Sequence, residues 1–444
     1  MEEQKDNLAE AWEALHGNEN VFLTGPAGSG KSTLIRRYIA ANEGKVIVLA
    51  PTGIAAINVG GVTVHNFFHF PARPVSYNAI KWLDPKKDED AVKRALILAA
   101  IAFVIDEASM LRADLMDQIA WFFKKNFPDL PPFAGKKIIL VGDLDQLPPV
   151  VKDDSAEKQM LSTRYASPFF FAAHCWDPAR YSSFKTFVLT KVWRQSDPAF
   201  INLLNDIKNA RLAPFEIDRL NNQCLRQGDL FPEDGIVLCA KNSTADELNS
   251  YMLHNLEGEY VKLVGTITGE FNKKDCIVEE VVHLKIGCRV MTLRNSNVPE
   301  NDYRNGSLGT LVGVDRTEAG EIVSLRVKLD ASGEIVHVGR FEFESMEYQY
   351  DKDADRIKHK VTGRFVQFPI KVAYAITIHK AQGQTFDKII IDTGERGAFA
   401  HGQIYVALSR CTSLQGITLR RPLKYSELIY DKNILEFNKT KLKV

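Results

Sequence analysis

The chain has 444 residues, 45% hydrophobic and 25% charged, which is enough apolar material to fill the cores of about three domains. Its 56 Lys and Arg balance 56 Asp and Glu, which argues against a protein that coats nucleic acid through net charge but leaves room for a local basic channel. No apolar run approaches the ~20 residues needed to cross a bilayer, and the acidic start Met1-Glu-Glu-Gln-Lys-Asp6 resembles neither a secretory signal nor a transit peptide, so a cytoplasmic protein with no membrane partner is expected.

In chain order, Leu8, Ala11, Trp12 and Leu15 recur at helical spacing, predicting an amphipathic helix over 4–16 that leads into a buried strand, Val21 to Leu23. The turn that follows, Gly25-Pro26-Ala27-Gly28-Ser29-Gly30-Lys31-Ser32-Thr33, has the spacing of a phosphate loop and runs into a helix through Tyr38. Glycines let successive N–H groups curl around an anion, and the helix aims the positive end of its dipole at the same point. Lys31 then reaches the β- and γ-phosphates of ATP, and the Ser32 hydroxyl is placed to ligate Mg²⁺.

Further aliphatic strands are predicted over 45–50, 102–109 and 136–143, alternating with helical segments, which implies a parallel sheet covered on both faces. Ligands of such sheets bind at the carboxyl ends of the strands. Three polar clusters fall there: Pro51-Thr52-Gly53, the acidic pair Asp106-Glu107, and Gly142-Asp-Leu-Asp-Gln146-Leu-Pro-Pro. Asp106 can hold Mg²⁺ through water while Glu107 polarises the attacking water. Gln146 offers an amide to a γ-phosphate. The segment 110–121 has Leu111, Leu115, Ile119 and Phe122 at core spacing and is predicted to be a packing helix.

A second alternation starts near Phe184 and passes through Trp193-Arg194-Gln195, a helix over 198–210 and a strand over 236–240. From 294 to 368 short alternating strands and the turn pairs Asn305-Gly306, Ala319-Gly320 and Ser332-Gly333 predict a small β-barrel inserted into an α/β domain. The aliphatic pattern returns at 370–378 and 389–392. Six cysteines, none in a C-x-x-C pair, read as reduced thiols.

Taken together, these motifs and Ala50-Pro-Thr-Gly53, Trp193-Arg194-Gln195, Thr377-x-His379-Lys380-x-Gln382-Gly383 and Val406-Ala-Leu-Ser-Arg410 follow the order seen in superfamily 1 DNA helicases. Over about residues 4–415 the chain most resembles the petite-integration-frequency family of superfamily 1B, relatives of the RecD subunit that move 5′ to 3′ on single-stranded DNA. The resemblance implies an α/β fold with two RecA-like domains on parallel sheets, 1–180 (with a small wedge at about 64–75) and 181–290 plus 367–444, and an Src-homology-3-like barrel at 291–366.

By the same resemblance, ATP lies between the two domains, with Gln4 on adenine and Gly383 among the nucleotide contacts. Gln146 senses the γ-phosphate, and Arg194 and Arg410 reach over from the second domain as fingers. Thr52, Gly53, His65, Thr377, His379 and Lys380 face the DNA. The aromatic run around Phe67 and Phe68 has two readings, stacking on unpaired bases or packing of its loop onto the domain; His65 has a structural alternative as well. The partners implied are single-stranded and forked duplex DNA, engaged by a monomer. An ATP-driven remodeller or switch of the RecA or AAA+ type is the other functional class compatible with the phosphate chemistry, and a strand-binding module with a vestigial nucleotide site is a third.

Overall fold

Why the aliphatic runs lack polar residues is plain from the sheet they build. The computed structural model describes residues 7–442 apart from 72, 152–154, 227–234, 272–275, 297 and 299–301. The chain divides into two compact units, the first comprising 1–194, 346–361 and 431–444 and the second 195–345 and 362–430. The first unit contains α1 (Leu8–His16), β1 (Asn20–Thr24), α2 (Lys31–Ala41), β2 (Val46–Ala50), α3 (Gly53–Val59), β3 (Val62–Thr63), α4 (Val64–Phe68), α5 (Asp88–Ala99), β4 (Ala102–Ile105), α6 (Ala113–Asn126), β5 (Lys137–Val141), α7 (Ser155–Arg164) and β6 (Phe184–Val188). Its six strands form one sheet in the order β3-β2-β4-β5-β1-β6, and every pairing in it is parallel.

Alternate residues of each strand enter opposite cores, because side chains on a strand point to opposite faces. Val21, Leu23, Val46, Val48, Ile139 and Val141 pack with Ala11 and Leu15 of α1 and with Leu34, Ile35 and Tyr38 of α2. Phe22, Ile47, Leu49, Phe103, Ile105, Ile138 and Leu140 pack on the other face with Phe122 and Phe123 of α6. Both sets must be apolar, so each strand reads as an unbroken hydrophobic run.

That second core is completed by residues distant in sequence. Ile357, Ile434 and Phe437 are buried in it, and the Tyr348 hydroxyl bonds both the N–H (2.8 Å) and the carbonyl (3.2 Å) of Val48 in β2. The Ile357 N–H donates to the Gly44 carbonyl at 2.7 Å.

The second unit contains α8 (Pro198–Lys208), α9 (Pro214–Cys224), β7 (Ile236–Cys239), α10 (Asn242–Asn255), β8 (Tyr260–Val264), β9 (Thr266–Gly269), β10 (Val281–Lys285), β11 (Arg289–Thr292), β12 (Leu308–Arg316), β13 (Ile322–Leu329), β14 (Ile335–Gly339), β15 (Phe341–Asp351), β16 (Arg356–Gln367), β17 (Ile370–Val372), β18 (Ala375–Thr377), β19 (Ile389–Asp392), α11 (Gln403–Ser409) and β20 (Ile417–Leu419). The far part of β15 and β16 groups with the first unit. The sheet β18-β7-β19-β20 is parallel throughout. The strands expected to close an inserted barrel lie in a sheet ordered β14-β13-β12-β11-β17, antiparallel throughout, and in a second ordered β15-β16-β9.

The predicted α/β architecture with two parallel sheets is the one the chain adopts, with one shift in bookkeeping between its halves. β6, expected to open the second domain, instead pairs in parallel with β1 from Asn20↔Phe184 to Thr24↔Val188. It is therefore the edge strand of the first sheet. All six cysteines are free thiols, and all but Cys276 are buried.

Candidate functional site

The phosphate loop joins β1 to α2, and its shape requires its glycines. Gly25, Gly28 and Gly30 have φ of 149°, 78° and 92°, a region that side chains bearing a Cβ seldom enter. A Cβ on Gly25 would sit 2.5 Å from the Leu189 carbonyl oxygen, and one on Gly28 would sit 2.5 Å from the Arg194 Cβ. Lys31 Nζ donates to the loop's own carbonyls, Gly25 at 2.6 Å and Pro26 at 2.9 Å. Ser29 is buried and its Oγ has no hydrogen-bond partner, whereas Ser32 and Thr33 are exposed at the start of α2.

An orphaned buried hydroxyl in a loop that rejects Cβ atoms, beside a lysine and a helix N-terminus, is a donor set suited to phosphate. Among the described residues no group of three or more His, Cys, Asp or Glu could hold a metal ion by itself. Mg²⁺ takes few protein ligands and shares its shell with substrate phosphates and water, which Ser32 and Asp106 fit.

Asp106 and Glu107 follow β4, two strands from β1 in the sheet. The Asp106 Oδ1 accepts the Glu107 N–H at 2.9 Å. Burial raises the Asp106 carboxyl pKa, opposed by that N–H and by the charges of Lys31 and Arg36, so the carboxylate and the loop lysine act on one another. Glu107 has φ 50° and ψ 43°, a left-handed conformation that costs a residue with a Cβ about 1–2 kcal/mol. Strain of this kind concentrates where a side chain must be aimed. The end of β5 presses on the same turn: a Cβ on Gly142 would lie 2.9 Å from the Ser109 nitrogen and 3.0 Å from that of Ala108.

Beyond Gly142 the turn closes on itself. Asp143 accepts the side-chain amide of Gln146 (3.1 Å) and the N–H of Asp145 (3.1 Å), and Asn438 donates to Asp145 at 3.0 Å. Gln146 is thus buried and oriented by Asp143. Asp143 and Asn438 brace this turn through their side chains, a part that sequence reading missed, for one because an aspartate in a turn looks solvated and for the other because it is distant in sequence.

Arg194 requires a correction. The parallel pairing of β6 with β1 carries the chain onward past the phosphate loop, where Leu189 N–H donates to Thr24 (2.8 Å) and Trp193 N–H donates to Gly28 (2.8 Å). Arg194 therefore stands beside the phosphate loop of its own unit, not on the second domain as the resemblance implies.

Arg410 lies in the second unit, is only 1% exposed and follows α11. Its guanidinium donates to the Val406 carbonyl (3.2 Å) and to Ser409 Oγ (3.1 Å). At the carboxyl end of β18, Thr377 is buried, His379 is half-buried with its pKa lowered by burial, and Lys380 and Gly383 are exposed.

Thr52 caps α3 by accepting the Ala55 N–H at 3.3 Å, with Gly53 next to it at the end of β2. His65, in α4, is half-buried, and burial and the nearby Arg112 charge lower its pKa. Gln4 lies outside the described residues.

Phe67 and Phe68, named above as DNA-stacking candidates, are 3% and 1% exposed. Phe68 packs against Phe122 (4.9 Å), Phe70 (5.2 Å) and Phe123 (5.9 Å), and Phe67 against Phe103 (5.8 Å) and Tyr348 (6.0 Å). Their rings build the core, which corrects the stacking assignment: a buried face has no room for a base. Lys93 sits over the Phe67 ring at 3.4 Å, its pKa pushed down to about 7 by burial. We expect Phe68→Ala to cost about 3–5 kcal/mol of stability in urea unfolding, with single-strand affinity unchanged at temperatures where the variant is folded. Lost affinity at full stability would return the ring to the DNA.

A family model described as PIF1-like helicase matches residues 1–215, and one described as UvrD-like helicase C-terminal domain matches 372–414. The ATP-dependent DNA helicase Pif1 of Bdellovibrio bacteriovorus is 30% identical over 437 residues, 97% of this chain and 90% of that protein. The human ATP-dependent DNA helicase PIF1 is also 30% identical, over 91% of this chain but only 58% of its own length. Among solved structures, Bacteroides sp Pif1 in complex with ADP-AlF4 is 32% identical with a TM-score of 0.87, covering 100% of this chain and 98% of that one. Bacteroides Pif1 bound to single-stranded DNA has the same identity and coverage with a TM-score of 0.68. With a relative at this identity spanning nearly the full length of both proteins, the chain belongs to the PIF1-like helicase family.

Proposed function

We propose that this chain is an ATP-dependent DNA helicase that moves 5′ to 3′ on single-stranded DNA and opens the duplex ahead of it. The observation that carries the reading is the pairing, within one sheet, of a glycine-built phosphate loop holding an orphaned Ser29 hydroxyl with the Asp106-Glu107 strand end. The loop N–H groups, Ser29 and Lys31 take the ATP phosphates, and Ser32 and Asp106 would hold Mg²⁺, which when bound would supply neutralisation of phosphate charge. Glu107 orients the attacking water and accepts its proton, Gln146 responds to the γ-phosphate, and Arg194 and Arg410 offset the charge that develops as the terminal phosphate departs.

Thr52, Gly53 and His65 near the β2 end, and Thr377, His379 and Lys380 at the carboxyl end of β18, are the groups assigned to the DNA strand. Hydrolysis changes the affinity of these two sets for the strand, and alternation between them yields directed motion. A single copy is the translocating unit in this reading. A Bacteroides relative is described at forked duplex DNA as two coordinating helicases, so copy number on a fork is part of the test. Among the described residues no helix is long and apolar enough to cross a membrane; work on DNA fits the intracellular placement expected above.

The test is unwinding of a partial duplex carrying either a 5′ or a 3′ single-stranded tail, with ATP turnover followed in parallel with and without DNA. We expect DNA-stimulated turnover and unwinding from the 5′ tail alone. Unwinding from the 3′ tail overturns the polarity, and turnover indifferent to DNA points to an ATP-driven remodeller. Mass photometry on the fork then counts the copies bound.

A further inference from the structure

The segment Trp193-Arg194-Gln195 carries the chain from the first unit into the second. Trp193 donates its N–H to the phosphate-loop residue Gly28 at 2.8 Å, and the Arg194 Cβ occupies the space a Cβ on Gly28 would need. One residue on, Gln195 belongs to the second unit. It is 3% exposed, and its side-chain Nε2 donates to two carbonyls, Ser409 at 3.1 Å and Cys411 at 3.0 Å. Those carbonyls flank Arg410.

The arrangement answers a problem posed by the end of α11. The last carbonyls of a helix lack partners within it, and many helices solve this with a left-handed glycine just past the end. Here the residue after the helix is Arg410, in right-handed geometry (φ −73°, ψ −25°). Three successive carbonyls must be satisfied from outside. The Phe386 N–H takes that of Arg410 itself at 2.9 Å, and the Gln195 amide takes the one on either side. With both amide hydrogens committed, the peptide planes that carry the Arg410 side chain are fixed by Gln195 and Phe386 together.

We infer that Gln195 is a positioning residue for ATP hydrolysis: its side-chain amide, bonded to the carbonyls on either side, fixes the backbone of Arg410. This rests on the functional reading above, in which Arg410 acts on the phosphate.

Gln195→Met keeps length and bulk while removing both donors. For DNA-stimulated ATP turnover we expect kcat to fall about 10- to 100-fold, the scale for a reacting group displaced by an ångström. KM for ATP and affinity for single-stranded DNA stay near wild type. In an Arg410→Ala background the same substitution produces no further loss, because Gln195 acts only through Arg410. Gln195→Glu, which preserves shape and turns a carboxylate toward the same carbonyls, repeats the cycle if the Met variant misfolds.

Wild-type kcat in either folded variant, or losses that multiply with Arg410→Ala, overturns the inference. Misfolding of both variants does so too, since the amide would then be a general support of the second unit. Absence of DNA-stimulated turnover in the wild-type chain is a different failure, that of the functional reading itself.

Discussion

Replacing Lys31 with Ala should lower DNA-stimulated ATP turnover by roughly 10²–10³-fold or more, the scale for removing one preorganised electrostatic donor, while single-strand affinity without nucleotide stays within experimental scatter. The ammonium is anchored by two carbonyls of its own loop, so its position is fixed by the fold. Loss of that charge removes stabilisation of the phosphates. It also removes an opposing influence on Asp106, whose carboxyl pKa burial already raises; the variant should need more Mg²⁺ for half-maximal residual activity. Turnover, fluorescence anisotropy on a labelled oligonucleotide and urea unfolding, run on the same preparation, decide it. Retained turnover would remove the loop from the chemistry, and lost strand binding at unchanged stability would mean that the lysine serves the DNA.

Glu107 carries the second large expectation. Glu107→Gln keeps size and hydrogen bonding but cannot accept a proton, so kcat should fall about 10²–10⁴-fold with KM for ATP nearly constant. Glu107→Gly should be equally inactive yet no less stable. Its backbone is left-handed, a state that costs about 1–2 kcal/mol with a Cβ present, and glycine's greater freedom in the unfolded chain returns about 0.5–1 kcal/mol of that gain. A net increase in stability of up to about 1.5 kcal/mol in urea is the expected result. Should Glu107→Gly be clearly destabilised, the side chain is structural and the strain has another origin. An active Glu107→Gln would move the proton acceptor elsewhere.

What the sequence makes legible is whatever rests on local chemistry. Unbroken runs such as Val46–Ala50 announce strands buried on both faces, and the phosphate loop is spelled by glycines whose positive φ, and at Gly25 and Gly28 whose close neighbours, disfavour a Cβ. Less legible is whatever depends on what a residue meets across the fold. Phe67 and Phe68 sit in a loop-like stretch rich in His, and nothing local says that Phe122, Phe123 and Tyr348 close over them. Arg194 follows a strand expected to start a new domain, and the pairing of β6 with β1 is a contact across the fold that periodicity does not encode.

Helix α6 is the same lesson in polar form. Leu115, Ile119 and Phe122 gave it one apolar face, yet Asp114, Asp117, Gln118 and Asn126 on the remaining surface are buried too. Asp117 accepts the N–H groups of His174 (3.1 Å) and Cys175 (2.9 Å), and Asn126 accepts that of Leu83 (2.7 Å). Polar residues that bind loop backbone are indistinguishable, from spacing alone, from residues facing water.

The first unit is assembled from three separated stretches, and this has a bearing on how the chain is made. Its β2 edge is bonded by Tyr348 and its aromatic core is filled by Ile434 and Phe437, residues that leave the ribosome long after the phosphate loop has emerged. At a synthesis rate of about 5–20 residues per second, the early sheet waits many seconds for its last pieces. Vectorial folding therefore stops short at the amino-terminal half, and a truncation before residue 431 should strand nascent chains with an open aromatic face for chaperones to guard.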